Sequence, residues 1–397
     1  MKRIIIALLA LSLIGCQSTT QGTGSKQPSQ VVIQELPSET ISFVEDFEYL
    51  TKMVYETYPY IGMIQRQDID INRIIKQYRK RVECVESQDE FYDFMIQFTE
   101  EFNNNGHMGL VLKEDFNHYY SSYPEDSKWY RTLNNQATMS FYDDYIEDAP
   151  ESDNQVSEGN ITLIKYDNYS TAYLNIESFG SEYIADDHDA LLSFYEEIKE
   201  YDNLIFDIRN NSGGSSDYAR LNIIEPLSTK SYEYENYILY KENDYTRDFI
   251  SSKLDSSNSQ PISSMDMENF TEINLDDITK LSHIVPINHQ YKPISEGFMG
   301  NIYVLVGPNN YSASEEFIDF CKVTDFATLI GHNTGGDGIG FDPILVPLPH
   351  TGILVKYSTH YGISSNGRNS EEFGTTPDVL LDQSENAYEY IMNKIQN

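Results

Sequence analysis

Apolar side chains recur every three or four positions over the first third of the chain, then every second position or in short solid runs. Phe43, Phe47, Leu50 and Met53-Val54 mark one face of a helix, which Thr57-Tyr58-Pro59-Tyr60 ends because proline cannot continue it. Ile74, Ile75, Tyr78 and Val82 give a second helix over Asn72–Cys84, and Phe91, Phe94, Met95 and Phe98 a third over Gln88–Phe102. Asn103-Asn104-Asn105-Gly106 breaks the third, and His107 to Leu112 turns into a strand.

The period then changes. Asn160–Tyr166 and Ser170–Ile176 alternate as a hairpin around Asp167-Asn168-Tyr169, and Ala190–Ile198 is amphipathic. Leu204–Ile208 reads as a buried strand, followed by Arg209-Asn210-Asn211-Ser212-Gly213-Gly214. Ile302–Val306 is another such run, broken by Gly307-Pro308-Asn309-Asn310. In Tyr311–Cys321, Phe317, Phe320 and Cys321 share a helical face, while Glu315, Glu316 and Asp319 suit the positive end of a helix. Strands follow at Ala327–Gly331 and Gly352–Ser358, a short run at Thr376–Leu380 and a last helix at Asn386–Ile395. This alternation predicts an α/β core with parallel strands. The predicted organisation is a helical N-terminal domain at 38–105, an irregular connection with one or two short helices at 106–157, and a core at 158–397. Residues 227–298, polar and weakly patterned, are expected as an insertion or surface layer over the sheet.

Met1-Lys2-Arg3 and the apolar Ile4–Ile14 describe a signal peptide over 1–15, too short for an ordinary membrane span. The polar stretch behind it, at 16–37, reads as a flexible tether. A net charge of −36 argues against nucleic acid or bare anionic lipid as partner and suits basic peptides. Cys84 and Cys321 lie in apolar-periodic stretches as small buried hydrophobes, and no Cys/His spacing suggests a metal. No cofactor is expected.

Ser312 stands where a strand passes through a tight loop into a helix, so backbone N–H groups of the helix N-terminus point at it. It is either the helix N-cap or a nucleophile whose alkoxide and later oxyanion use those donors. Gly213-Gly214 lies just past another strand end, where bare backbone can donate to a ligand. His107 sits in a loop between the two regions; His118, His188, His283, His289, His332, His350 and His360 have no comparable framing.

At these residues the chain resembles the tail-specific, or C-terminal-processing, serine peptidases and the related tricorn-core peptidases. Leu204–Gly214 is similar to the family's strand ending in Asp-x-Arg-x-Asn before a glycine pair, and Tyr311–Glu315 to its Ser-Ala-Ser-Glu motif. Gly374–Val379 is similar to a late Gly-x-x-Pro-Asp segment, and Asn105-Gly106-His107 to the Asp-Gly-His of histidine-using members. The resemblance runs over roughly residues 40–395. It implies a crotonase-like (ClpP/crotonase) α/β spiral with a helical N-terminal part, hydrolysing peptide or protein substrates. It makes Ser312 the nucleophile and the Gly213 and Ala313 N–H groups the oxyanion donors. Asp207, Arg209 and Gly214 match the strand motif, with Asp207 and Arg209 holding the glycine loop. Ser-Lys members carry a lysine some 25 residues past the nucleophile; here Gly335-Gly336-Asp337-Gly338 has Asp337 in that region. The resemblance therefore turns to the histidine-using type, with His107 as base and Lys356 as the alternative. A late glutamate completes that site, Glu371 by its spacing from Gly374, with Glu372 adjacent. Residues 113–157 are too few for the PDZ domain that many members insert, so none is expected.

Leu13-Ile14-Gly15-Cys16 resembles the lipobox of bacterial lipoproteins. That likeness implies an exported protein of the cell envelope, anchored through lipid, palmitate among its acyl chains, on Cys16. Other readings of these features are a non-catalytic peptide- or ligand-binding lipoprotein on the same fold, and a structural or adhesion lipoprotein.

Overall fold

The runs Leu204–Asp207 and Ile302–Leu305 lie side by side as parallel strands, every residue of the first buried. This is what two solid β-branched and aromatic runs dictate, since both faces must be covered. The structure is a computed structural model and describes residues 38–122, 132–145, 159–264, 270 and 273–397. The predicted signal peptide (1–15), Cys16 and the tether (16–37) lie outside the described residues. Those described belong to one compact unit, Ser38–Asn397.

The strands are, in chain order, β1 (Gly109–Leu110), β2 (Ile161–Tyr166), β3 (Thr171–Ile176), β4 (Asn203–Asp207), β5 (Tyr232–Tyr240), β6 (Gln260–Pro261), β7 (His283–Tyr291), β8 (Asn301–Val306), β9 (Thr328–Gly331), β10 (Ile344–Pro347), β11 (Leu354–Tyr357), β12 (His360–Ile363) and β13 (Val379–Leu380). The main sheet has the order β13-β9-β8-β4-β3-β2. All its pairs are parallel except the hairpin β2–β3. The other strands form two antiparallel sheets, β1-β11-β10 and β12-β5-β7-β6.

The crotonase-like (ClpP/crotonase) spiral is therefore corrected. The described strands separate into one open, mainly parallel sheet and two smaller antiparallel sheets, because the segments after β4 and β9 leave the main sheet and pair with each other: β5 joins β12 and β11 joins β10.

One face of the main sheet packs the helix Tyr183–Glu197 and the helix Ala313–Thr324, through Leu191, Phe194, Phe317 and Phe320. The other face carries the C-terminal helix Ala387–Gln396 through Ile391 and Met392. The helices Ser38–Thr57, Ile71–Arg81 and Gln88–Glu100 do not keep a core to themselves. Phe47, Tyr58 and Phe98 share one hydrophobic cluster with Val355, Tyr357 and Tyr361 of the small sheets. Buried Asp46 adds a polar tie, accepting from the N–H groups of His350 (2.9 Å) and Thr351 (2.8 Å) and from Thr351 Oγ1 (2.7 Å). A carboxylate with three donors offsets much of its desolvation.

Three expectations change in detail. The amphipathic helix starts at Tyr183 rather than Ala190, because Asp186, Asp187 and Asp189 hide its period. Residues 227–298 contain β5 and β7, two nine-residue paired strands. Cys84 is exposed, not buried, whereas Cys321 is buried.

Candidate active site

Ser312 directly precedes the helix Ala313–Thr324 and has φ 55° and ψ −127°. A non-glycine residue there is strained by about 1–3 kcal/mol, held by its surroundings. The loop is overdetermined. Ser312 N–H donates to Gly336 O (3.2 Å), and Asn310, fully buried, donates to Ile208 O (2.5 Å) and Asn211 O (3.1 Å). Ser312 is the N-cap by position, yet its hydroxyl makes no capping bond. The local hydrogen bonding falls to Ser314, whose Oγ accepts from Tyr311 N–H (3.0 Å) and reaches Asn211 O (2.9 Å).

The glycine pair lies against this loop. A Cβ built on Gly213 (φ 107°) would sit 2.6 Å from Tyr311 O and 3.0 Å from Ala313 N, so only glycine lets the two backbones meet. Phe179 clamps the pair from behind, donating to Gly213 O (3.0 Å) and accepting from Ser215 N–H (2.7 Å). Ala313 N–H belongs to the first helical turn, whose donors have no intrahelical partner. Gly213 N–H is turned to Asn211 Oδ1 at 2.9 Å. At the end of β4, Arg209 holds Asp207 with two bonds, Nε to Oδ1 (2.8 Å) and Nη2 to Oδ2 (2.6 Å), and Tyr173 OH donates to the same carboxylate (2.9 Å).

His107 arrives from the helical region at φ 57°. Its loop is docked on the end of β11 by Ser358 N–H, which donates to Gly106 O (2.7 Å). The His107 ring meets the Tyr311 ring edge-on, centroids 5.0 Å apart, which puts it beside the residue preceding Ser312. His107 Nε2 lies 2.5 Å from Asp337 Oδ2. Glu371, 6% exposed, accepts from Gly106 N–H (2.5 Å) and Tyr311 OH (3.2 Å) through Oε1. Burial, then the neighbouring Asp337 charge, push the Glu371 carboxyl well above the carboxylate range. Tyr311, Tyr58 and Tyr60 are pushed up by burial first and then by those two carboxyls.

His107, Glu371 and Tyr311 are thus brought together from residues far apart in sequence, with Ser312 next to Tyr311. Lys356 instead donates to Tyr119 OH (3.2 Å), and Glu372 is spent on Arg66 (2.6 Å). Asp337 is the residue that sequence reasoning set aside. Its signal was present, a charged residue inside a glycine cluster, but it was weighed only as a missing lysine. Among the described residues, no group of three or more His, Cys, Asp or Glu side chains is placed to hold a metal.

A model of peptidase family S41 matches residues 170–381. Among solved structures, the chain is similar to a candidate peptidase from Parabacteroides merdae, at 19% identity and a TM-score of 0.57, covering 89% of this chain and 97% of that one. A complex of mature CPAF with lactacystin matches at 15% identity and 0.57, covering 90% and 97%. A lipoprotein from Streptococcus agalactiae matches at 15% and 0.50, covering 92% and 99%. At such identities the likeness is one of fold. It is the S41 peptidase fold, which replaces the crotonase-type expectation. No curated protein matches the chain.

Proposed function

The chain belongs to peptidase family S41, and on that premise we propose that it is a serine peptidase of the histidine-using type, cutting peptide bonds through an acyl-enzyme on Ser312. The observation that carries this reading is Ser312 itself: a strained serine at a helix N-terminus whose hydroxyl caps nothing, beside a loop that brings His107. A serine held only as a cap would use its oxygen on the first-turn N–H groups.

In this mechanism His107 takes the Ser312 proton and Oγ attacks the scissile carbonyl. The oxyanion forms against Ala313 N–H and, once released from Asn211, Gly213 N–H; each such donor contributes about 3 kcal/mol to the transition state. His107 then protonates the leaving amine, and water, activated by the same histidine, frees the acyl group. Asp337 at the place of the lysine argues for the histidine-using type, since a carboxylate cannot act as a neutral amine.

A fluorophosphonate label is the direct test. It should attach to Ser312 in the wild type and be lost in Ser312→Ala; labelling that persists in the variant sinks the assignment. The second reading, a binding protein on this fold, draws on Gly213 N–H being occupied by Asn211, and an unlabelled wild type would favour it. We also assign Cys16 as a lipid anchor for an exported, envelope-facing enzyme. Cys16→Ser should move the protein out of the membrane fraction, and retention there would refute the anchor.

A further inference from the structure

We propose that Asp337 is the positioning residue for His107, and that Glu371 beside it is a protonated carboxyl donating to Asp337 rather than the anion that orients the histidine. This rests on the Ser312–His107 reading, but its two halves can be tested apart.

The geometry starts at Gly336. Its φ of 99° and its approach to Ser370, where a Cβ would come within 2.2 Å of the carbonyl oxygen, press the 335–338 loop onto the 370–371 backbone. The same loop is tied to the nucleophile side by Ser312 N–H on Gly336 O and by Gly335 N–H on Asn310 O (2.8 Å). Asp337 is thereby fixed between the two, with Oδ2 on His107 Nε2 and its carboxyl beside that of Glu371. Two buried carboxyls held side by side repel when both are ionised, so one of the pair keeps a proton and can donate it to the other.

The surroundings say which residue keeps it. Asp337 faces the imidazole, which as imidazolium becomes its counter-charge. Among the described residues no Lys or Arg pairs with Glu371: the nearby Arg66 guanidinium is shared between Glu372 (2.6 Å) and Asp277 (2.7 Å). Around Glu371 stand the neutral phenols of Tyr58, Tyr60, Tyr311 and Tyr361. Its two closer donors both fall on Oε1, leaving Oε2 with one 3.4 Å contact and free to carry the proton. Within electrostatic reach of Asp337, His360 is held down to about 4 by burial and stays neutral. The desolvated Glu371 carboxyl is raised, in keeping with this assignment.

During acylation, Ser312 Oγ–H gives its proton to Nδ1 of His107, the nitrogen not engaged by Asp337, while the Oγ–carbon bond forms. The imidazolium is balanced by the single Asp337 charge, and Glu371 keeps its proton. A second carboxylate would add a like charge and over-stabilise the imidazolium, slowing return of the proton to the leaving amine. The sign of the pH dependence follows. Below its raised pKa Glu371 is neutral and the arrangement holds. As pH rises through that value Glu371 ionises, repels Asp337, and kcat/KM falls.

The experiment compares Asp337→Asn with Glu371→Gln over the pH range, with far-UV spectra and Ser312 labelling as folding controls. Asp337→Asn should lower kcat/KM on the order of 10³–10⁴-fold. Glu371→Gln, which keeps a neutral donor, should cost about tenfold at neutral pH and remove the alkaline fall. Equal losses in the two variants, an unchanged alkaline limb in Glu371→Gln, or a harmless Asp337→Asn would each overturn the proposal. Infrared difference spectra of wild type minus Glu371→Gln at neutral pH give a readout independent of turnover. A carboxylic-acid C=O band present in the wild type supports the protonated Glu371, and its absence refutes it even if no peptide is cleaved. A wild type that shows the band but neither label nor cleavage would instead remove the peptidase reading.

Discussion

Ser312→Ala and His107→Ala should each lower kcat/KM by roughly 10⁵–10⁶-fold, and the double variant should lose little more than either alone, because nucleophile and base act as one unit. The expectation comes from the division of labour in the tight loop. Ser314 does the structural work, with its Oγ buried between Tyr311 and Asn211, while Ser312 Oγ caps nothing. Ser314→Ala should therefore cost about 1–3 kcal/mol of stability yet keep a measurable chemical step. Steady-state kinetics on a peptide library, with urea denaturation of each variant, separate the two effects. Near-wild-type turnover in Ser312→Ala would end the nucleophile assignment. Losses that multiply in the double variant would show that His107 does not act through Ser312.

Gly213→Ala should abolish most activity while leaving the rest of the fold recognisable. The added methyl meets Tyr311 O at 2.6 Å and Ala313 N at 3.0 Å, both main-chain atoms. Neither side can give way cheaply. The nucleophile loop is pinned through Asn310 and Ser314, and the glycine loop through Phe179. Positive φ adds its own strain, so a stability loss of about 3 kcal/mol accompanies the displaced oxyanion donors. Gly159→Ala is the internal control, since among the described residues a Cβ there touches only Ile161 O, at 3.8 Å. Kinetics and thermal melts of both variants decide. Wild-type activity in Gly213→Ala would mean that the two loops do not need this close approach.

How much of this was legible in the sequence depended on whether the cause was local. The junction at Ser312 is written in consecutive residues: a solid apolar run, a Gly-Pro-Asn-Asn breaker and an acidic first helical turn. The hairpin β2–β3 was nearly as plain, because two mostly alternating runs flank a short polar turn. By contrast, β5 and β7 carry Glu233, Glu235, His289 and Gln290 among their apolar positions, and their register is set by each other rather than by period. The spiral implied by the family resemblance failed because motif likeness marks the residues around the site but not which distant strands pair. His107 was marked by its loop between the two regions, but its role came only from a three-residue likeness. The Asp337–Glu371 contact could not be read at all: it depends on Gly336 lying against Ser370, two residues with nothing in their types to say they meet.

The shared core of the helical region and the small sheets sets an order of events for the newborn chain. The loop bearing His107 is seated by Ser358, and its helices are packed by Val355, Tyr357 and Tyr361. All of these leave the ribosome some 250 residues after the histidine, and after Ser312 itself. An incomplete chain thus holds both His107 and Ser312 with no scaffold to bring them together. Contacts of such long range also close slowly, because the loop entropy comes due before the packing rewards it. On the proposed mechanism, hydrolytic competence would arrive only with the last strands, and a half-made chain should show no cleavage of other polypeptides.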